Sequence, residues 1–285
     1  MKFHSILILL AAMALFVAPL GAARKKKSPP ATPPAKKPTE KPAEAKPEVK
    51  GADLEAFYYV GQWRGKQKGK KSFGVGTVSL IAPSWAITAH HVATKKISSP
   101  ETTNASVTFQ IPGKGRRKSV TVGVKKAYGG FKGDFALLHL SKPVTTVAQV
   151  ALLADSIVRS DGTIPFTMVG HKGGLHVHRG RTGRSNKDGT GFYHNADPDG
   201  NRPGKAGDSG GAWVIEREGK LRDVQFAVIH GGGKGPQIAP NRKLINEIVA
   251  RETPKETVEW VRKKDLVKSK SKPAVKPPAK KRRSR

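Results

Sequence analysis

The pentapeptide Gly207-Asp208-Ser209-Gly210-Gly211 is the stretch of this chain best suited to chemistry. A serine hydroxyl is a weak nucleophile unless a fixed turn presents it and a neighbouring base takes its proton. Glycines on both sides permit the tight backbone that leaves room for a substrate. They also let the N–H groups of Gly207 and Ser209 aim at one point, where a tetrahedral intermediate carries its oxyanion. Taken alone, the pentapeptide is also readable as an ordinary glycine-rich turn. Two further stretches change the balance. Ile87-Thr88-Ala89-His90-His91-Val92 ends an apolar run in a histidine pair, and Gly133-Asp134-Phe135-Ala136-Leu137-Leu138 sets an acid at the mouth of a buried strand. A base must reach the serine through one ring nitrogen while an acid holds the other. Base, acid and nucleophile are thus all present, in the order His, Asp, Ser.

These residues are far apart in the chain, so a fold has to gather them. The region between 51 and 250 reads as short strands separated by glycine-rich or charged turns. Val75 to Ile81 is a mixed buried strand; Val107, Phe109 and Ile111 alternate, as do Val120, Val122 and Val124; Phe135 to Leu140 is a continuous apolar run. Ile164, Phe166 and Met168 share one side of a later strand, and Ala212 to Ile215 and Val224 to Ile229 supply two more. A helix capped by Asn241 follows, with Leu244, Ile245, Ile248 and Val249 as its apolar stripe. Residues 255–267 either extend it or form a second short basic helix. The fold class expected is all-β with a C-terminal helix.

The set ITAHHV, GDFALL and GDSGG resembles the chymotrypsin-like (trypsin-like) serine endopeptidases over about residues 72–250. The resemblance implies two six-stranded antiparallel β-barrels with the site in the cleft between them. It carries His91 onto the general base, with His90 on an alanine position, Asp134 onto the orienting acid and Ser209 onto the nucleophile. Gly207 and Ser209 become the oxyanion-hole donors. The implied reaction is peptide-bond hydrolysis through an acyl-enzyme, with no metal or organic cofactor. In animal members the aspartate before the nucleophile pairs with a newly cut amino terminus. No sequence of the Ile-Val-Gly-Gly kind precedes Phe73, so Asp208 has another partner or none.

Within that family, Phe226 to Gly233 (FAVIHGGG) and Ile238 to Ile248 (IAPNRKLINEI) are similar to the corresponding stretches of bacterial glutamyl endopeptidases. His230 falls on the histidine that contacts an acidic P1 side chain there, and it is also readable as a plain cleft-wall residue with no specificity role. Gly231, which replaces a tryptophan, joins Gly232 and Gly204 as the implied substrate-binding backbone. Pro203 stands where a trypsin-type pocket has its aspartate, so cleavage after Lys or Arg is disfavoured for want of a counter-charge. An acidic P1 matched by His230 and Lys205, or a small apolar one, remains.

Composition bounds the setting. The 285 residues carry a formal charge of +32 and no cysteine, which excludes a disulfide scaffold, a cysteine nucleophile and a thiolate metal site. Residues 1–23 read as an export signal cleaved near Ala23, which predicts a secreted or periplasmic protein. Residues 24–50 form a Lys/Pro/Ala-rich linker too poor in apolar groups to fold, 51–250 the folded domain, and 251–285 a basic tail. The partner expected is a protein or peptide substrate. The basic tails would contact nucleic acid, membrane surfaces or other anionic polymers without specificity. A second reading is therefore a non-catalytic basic protein tethered to such surfaces. His171, His176 and His178 cluster in HKGGLHVH, readable as surface or cleft-wall histidines or as zinc ligands. His194 lies near the implied pocket, and Asn104-Ala105-Ser106 fits a glycosylation acceptor.

Overall fold

Residues 54–66, 73–93, 104–111, 118–147, 150–194, 206–215, 223–231 and 233–266 are described in the computed structural model of the chain. The expected export signal, the linker and the tail from residue 267 lie outside them, as do Pro203, Gly204, Lys205 and Gly232. Six strands close into an antiparallel barrel: β1 (Val60–Lys66), β2 (Phe73–Ala82), β3 (Trp85–Thr88), β4 (Ala105–Ile111), β5 (Lys118–Tyr128) and β6 (Ala136–Leu140). Their order is β1-β2-β3-β6-β5-β4, with β4 returning to β1. Alternation in β4 and β5 turns Val107, Phe109, Val122 and Val124 into the barrel, and their neighbours face outward. β3 and β6 are buried along their whole length, which is why both read as apolar runs interrupted only by Thr88 and His139.

The second half corrects the expectation of a second six-stranded barrel. β7 (Leu152–Ala154), β8 (Asp161–Gly170), β9 (His176–Ser185), β10 (Gly191–His194), β11 (Ala212–Ile215), β12 (Val224–Val228), β13 (Lys234–Pro236) and β14 (Trp260–Val261) form one eight-stranded sheet. Its order is β13-β10-β9-β8-β11-β12-β7-β14, with β13 and β14 as unjoined edges. The reason lies in the pairing. β7 takes the free edge of β12 in parallel, and β14 adds in parallel to β7, so the edge on which a barrel would close is occupied. Two isolated bridges, Ala227 to Gln237 and His230 to Lys234, bring the β13 edge toward β12 without a continuous ladder. Closure needs strand length and stagger that a three-residue β13 does not supply. One face of this sheet is packed by Phe166, Phe192, Trp213 and Phe226, with ring centroids 4.9 to 6.3 Å apart.

A helical turn α1 (His90–Ala93) follows β3, and a longer helix α2 (Arg242–Glu252) follows β13. The expected stripe holds: Ile245, Ile248 and Val249 are buried in the same cluster as the barrel core, and Leu244 packs at its edge. Asn241 occupies the N-cap position, but its side chain makes no capping bond. Its Oδ1 accepts from Lys132 N–H at 2.7 Å and its Nδ2 donates to Lys132 O at 3.1 Å. Beyond the helix the chain forms β14 and a short turn α3 (Lys263–Leu266), so residues 255–266 do not extend α2 and the last of them form the second short helix.

The stretch after α2 is fastened to the barrel at its β2–β3 turn. Ser84 N–H and Oγ–H both donate to Glu256, at 2.9 and 2.7 Å, and Trp85 Nε1–H donates to Thr253 Oγ1 at 2.7 Å. Ser84 is buried, so losing the carboxylate strands two donors. Glu256→Ala is expected to lower stability by about 1–3 kcal/mol, measured as the shift in urea midpoint at constant slope.

Candidate active site

β3 ends at Thr88, and α1 turns the chain so that Val92 is buried while the His91 side chain, 45% exposed, faces solvent. The acid arrives on the loop before β6. That loop is pinned at Lys132 by Asn241, and Asp134 points across to α1. Asp134 Oδ1 accepts the His91 backbone N–H at 2.9 Å, and Oδ2 lies 2.6 Å from His91 Nδ1. A second imidazole shares that oxygen, because His230 Nδ1 bonds the same Oδ2. The rings of His91 and His230 meet edge to face with centroids 5.0 Å apart.

Burial alone would raise the Asp134 pKa, but the hydrogen bonds from His91 and His230 outweigh it and hold the carboxyl well below the usual carboxylate range. An ionised carboxylate only accepts, so Nδ1 of His91 carries the proton and Nε2 is left with its lone pair. That is the tautomer a general base requires.

The loop 207–211 is clamped from both halves of the molecule. Thr77 of β2 donates its N–H to Ser209 O and its hydroxyl to Gly207 O, both at 2.8 Å, and Thr88 Oγ1 donates to Thr77 O at 2.7 Å. On the other side Gly210 N–H donates to Ile229 O and Ile229 N–H donates to Gly211 O. Gly210 has φ +90°, and a Cβ there would stand 2.0 Å from Thr77 O and 2.1 Å from Thr88 Oγ1, so no other residue fits. Among the described residues, the N–H groups of Gly207 and Ser209 donate to no hydrogen bond.

Base and acid are therefore joined directly. The serine is brought to them through β2: a Cβ on Gly76 would meet Val92, the residue after the base, at 2.4 Å and Ser209 O at 3.3 Å. The Ser209 hydroxyl itself makes no hydrogen bond among the described residues, so the third link of the triad is taken up below as a proposal. His90 lies half-buried beside the base, with no hydrogen bond to Asp134. Gly231 is exposed with open space around it.

A cleft of about 280 Å³ opens beside Asp134 and His230, walled by Asn186, Thr190, Tyr193 and Pro236, with Lys234 at its side. One ring nitrogen each of His91 and His230 and one carboxylate oxygen of Asp134 all lie within 4.8 Å of one another, a donor set that would also take a divalent cation. A cation there would displace the proton on Nδ1, so metal binding and general-base chemistry exclude each other at this site.

Two arrangements went unread in the sequence. His230 contacts the acid rather than only the substrate cleft; its place directly after the β12 run was the available signal. Asp208 finds a partner in His176, whose Nε2 is 3.0 Å from Asp208 Oδ1. The other cluster histidines lie close by. His178 meets His176 edge to face at 5.4 Å, and His171 is buried with neither ring nitrogen hydrogen-bonded among the described residues.

Burial, ahead of the nearby His176, lowers the His171 pKa and keeps the ring neutral. Burial and then Lys125 do the same for His139, stacked on Trp85 at 4.4 Å. Unfolding exposes both rings to protonation in the ordinary histidine range, about 6.5. The stability they contribute is thus full above that range and is lost as pH falls below it. Urea midpoints are expected to drop between pH 8 and pH 5, and His171→Leu is expected to flatten the slope, leaving the part due to His139.

A family model described as Trypsin matches residues 55–242. Among curated proteins, none matches the chain.

Proposed function

The chain belongs to the trypsin family, with a trypsin-like serine-protease domain over residues 55–242, and on that premise we propose that it hydrolyses peptide bonds through Ser209, His91 and Asp134. Ser209 Oγ attacks the scissile carbonyl and His91 Nε2 takes its proton. Asp134 holds the Nδ1 proton and stabilises the imidazolium that forms. The N–H groups of Gly207 and Ser209 receive the oxyanion. His91 then protonates the leaving amine, and water, activated by the same imidazole, releases the acyl group.

The observation that carries this reading is the double acceptance by Asp134 of His91 N–H and Nδ1–H, at 2.9 and 2.6 Å, which leaves Nε2 as the free base. The substrate class is a protein or peptide. An acidic P1 suits the cationic side of the cleft, where Lys234 stands and where His230 still has Nε2 after giving Nδ1 to Asp134. Residues 1–23 would send the enzyme out of the cytoplasm, with cleavage near Ala23, and the basic tails would hold it to anionic polymers by screened attraction.

A fluorophosphonate probe and a peptide library test this together. Labelling is expected in the wild type and in His90→Ala and absent in Ser209→Ala, with cleavage after Glu or Asp favoured over Lys or Arg. A wild type that stays unlabelled in every processing state overturns the reading.

A further inference from the structure

Asp208, the residue before the proposed nucleophile, is 2% exposed. A carboxylate withdrawn that far from water is destabilising unless a counter-charge meets it. The imidazole of His176 in β9 stands against it, Nε2 at 3.0 Å from Oδ1. The site is shaped for the pair. β8 and β9 put Gly170 directly opposite His176, and a Cβ on Gly170 would lie 2.5 Å from Asp208 Oδ1 and 2.7 Å from His176 Nε2. Any larger residue at 170 would drive the two apart.

His176 Nδ1 is 3.1 Å from Gly174 O, and a carbonyl only accepts, so Nδ1 holds a proton. Nε2 and Oδ1 thus approach as buried polar atoms in contact, with no hydrogen bond between them. Among the described residues, His178 meets His176 edge-on, the buried His171 lies near both, and the Lys172 stem lies over Gly207.

Asp208 also sets the geometry of the turn. Its carbonyl accepts Gly211 N–H at 2.8 Å, and Gly207 before it has φ +106°. A side chain fixed at 208 therefore fixes the direction of the two N–H groups on either side of it. We infer that His176 is a positioning residue which, by pairing with Asp208, holds the oxyanion loop in its working conformation in the uncut chain, so that no newly released amino terminus is needed. The inference rests on Ser209 being the nucleophile.

Two measurements test it. In the first, His176→Ala is expected to lower kcat about 10²-fold, the scale of losing an oxyanion donor, with little change in KM. Added imidazole is expected to restore part of the loss by entering the space left beside Asp208, which a merely structural defect would not allow. The second arm needs no variant: the wild-type protein, shown by mass spectrometry to retain its amino-terminal segment beyond Ala23, is expected to react with the fluorophosphonate at its full rate. His176→Ala with wild-type kcat, a loss that imidazole does not relieve, or a wild type that reacts only after that segment is cut, each overturns the inference and leaves the protease reading standing. A wild type unreactive in every form overturns both.

Discussion

Ser209→Ala is expected to lower kcat by about 10⁶-fold while leaving the folded state intact. The fold uses the main chain of Ser209, whose carbonyl receives Thr77 N–H, and places no hydrogen bond on its hydroxyl among the described residues. The change therefore removes the attacking atom and little else. Residual turnover of about 10³–10⁴ over water remains, because the oxyanion donors and the binding cleft survive. Steady-state turnover of the best library peptide, read beside a thermal melt, checks both halves. A variant that keeps a hundredth of wild-type kcat would assign the nucleophile elsewhere.

Asp134→Asn is expected to cost about 10⁴-fold in kcat, the penalty of a wrong histidine tautomer. Asp134 accepts from the backbone N–H of His91, from His91 Nδ1 and from His230 Nδ1. A carboxamide has one accepting oxygen and presents an N–H₂ on its other side. If the oxygen stays with the backbone N–H, the amide donors face Nδ1, and the His91 proton moves to Nε2, where it blocks the base.

The same substitution alters stability with a predictable sign. The wild-type carboxyl is held below the usual carboxylate range, so its contribution is fully present above about pH 4 and is lost only as pH falls through the depressed value. The stability gap between wild type and variant should therefore be largest near neutrality and narrow in acid. Turnover within tenfold of wild type would remove Asp134 from the mechanism.

The strands were legible wherever one face or both were buried, because side-chain alternation is a local property. Val107 and Phe109 announce β4, and Phe135 to Leu140 announce β6. Closure of the second sheet was not legible. It depends on which edges meet, and β14, a dipeptide after the helix, adds in parallel through β7 to the edge that was expected to close. Asn241 shows the same limit on a smaller scale. Its type and position fit an N-cap, yet a backbone 109 residues away offered both a donor and an acceptor, and that tertiary pair prevailed over the local one. His91 and Asp134 could be read as a pair because their neighbours form recognisable strings, whereas nothing in β9 marks His176 as a neighbour of Asp208, and the contact of His230 with Asp134 was signalled only by its place after the β12 run.

The bridge between Asn241 and Lys132 also orders events during synthesis. Asn241 is the 109th residue that a ribosome adds after Lys132, so in a nascent chain the acid-bearing loop stays unfastened until nearly all of the domain has emerged. On the proposed reading, a partly translated chain therefore lacks a fixed acid beside its base.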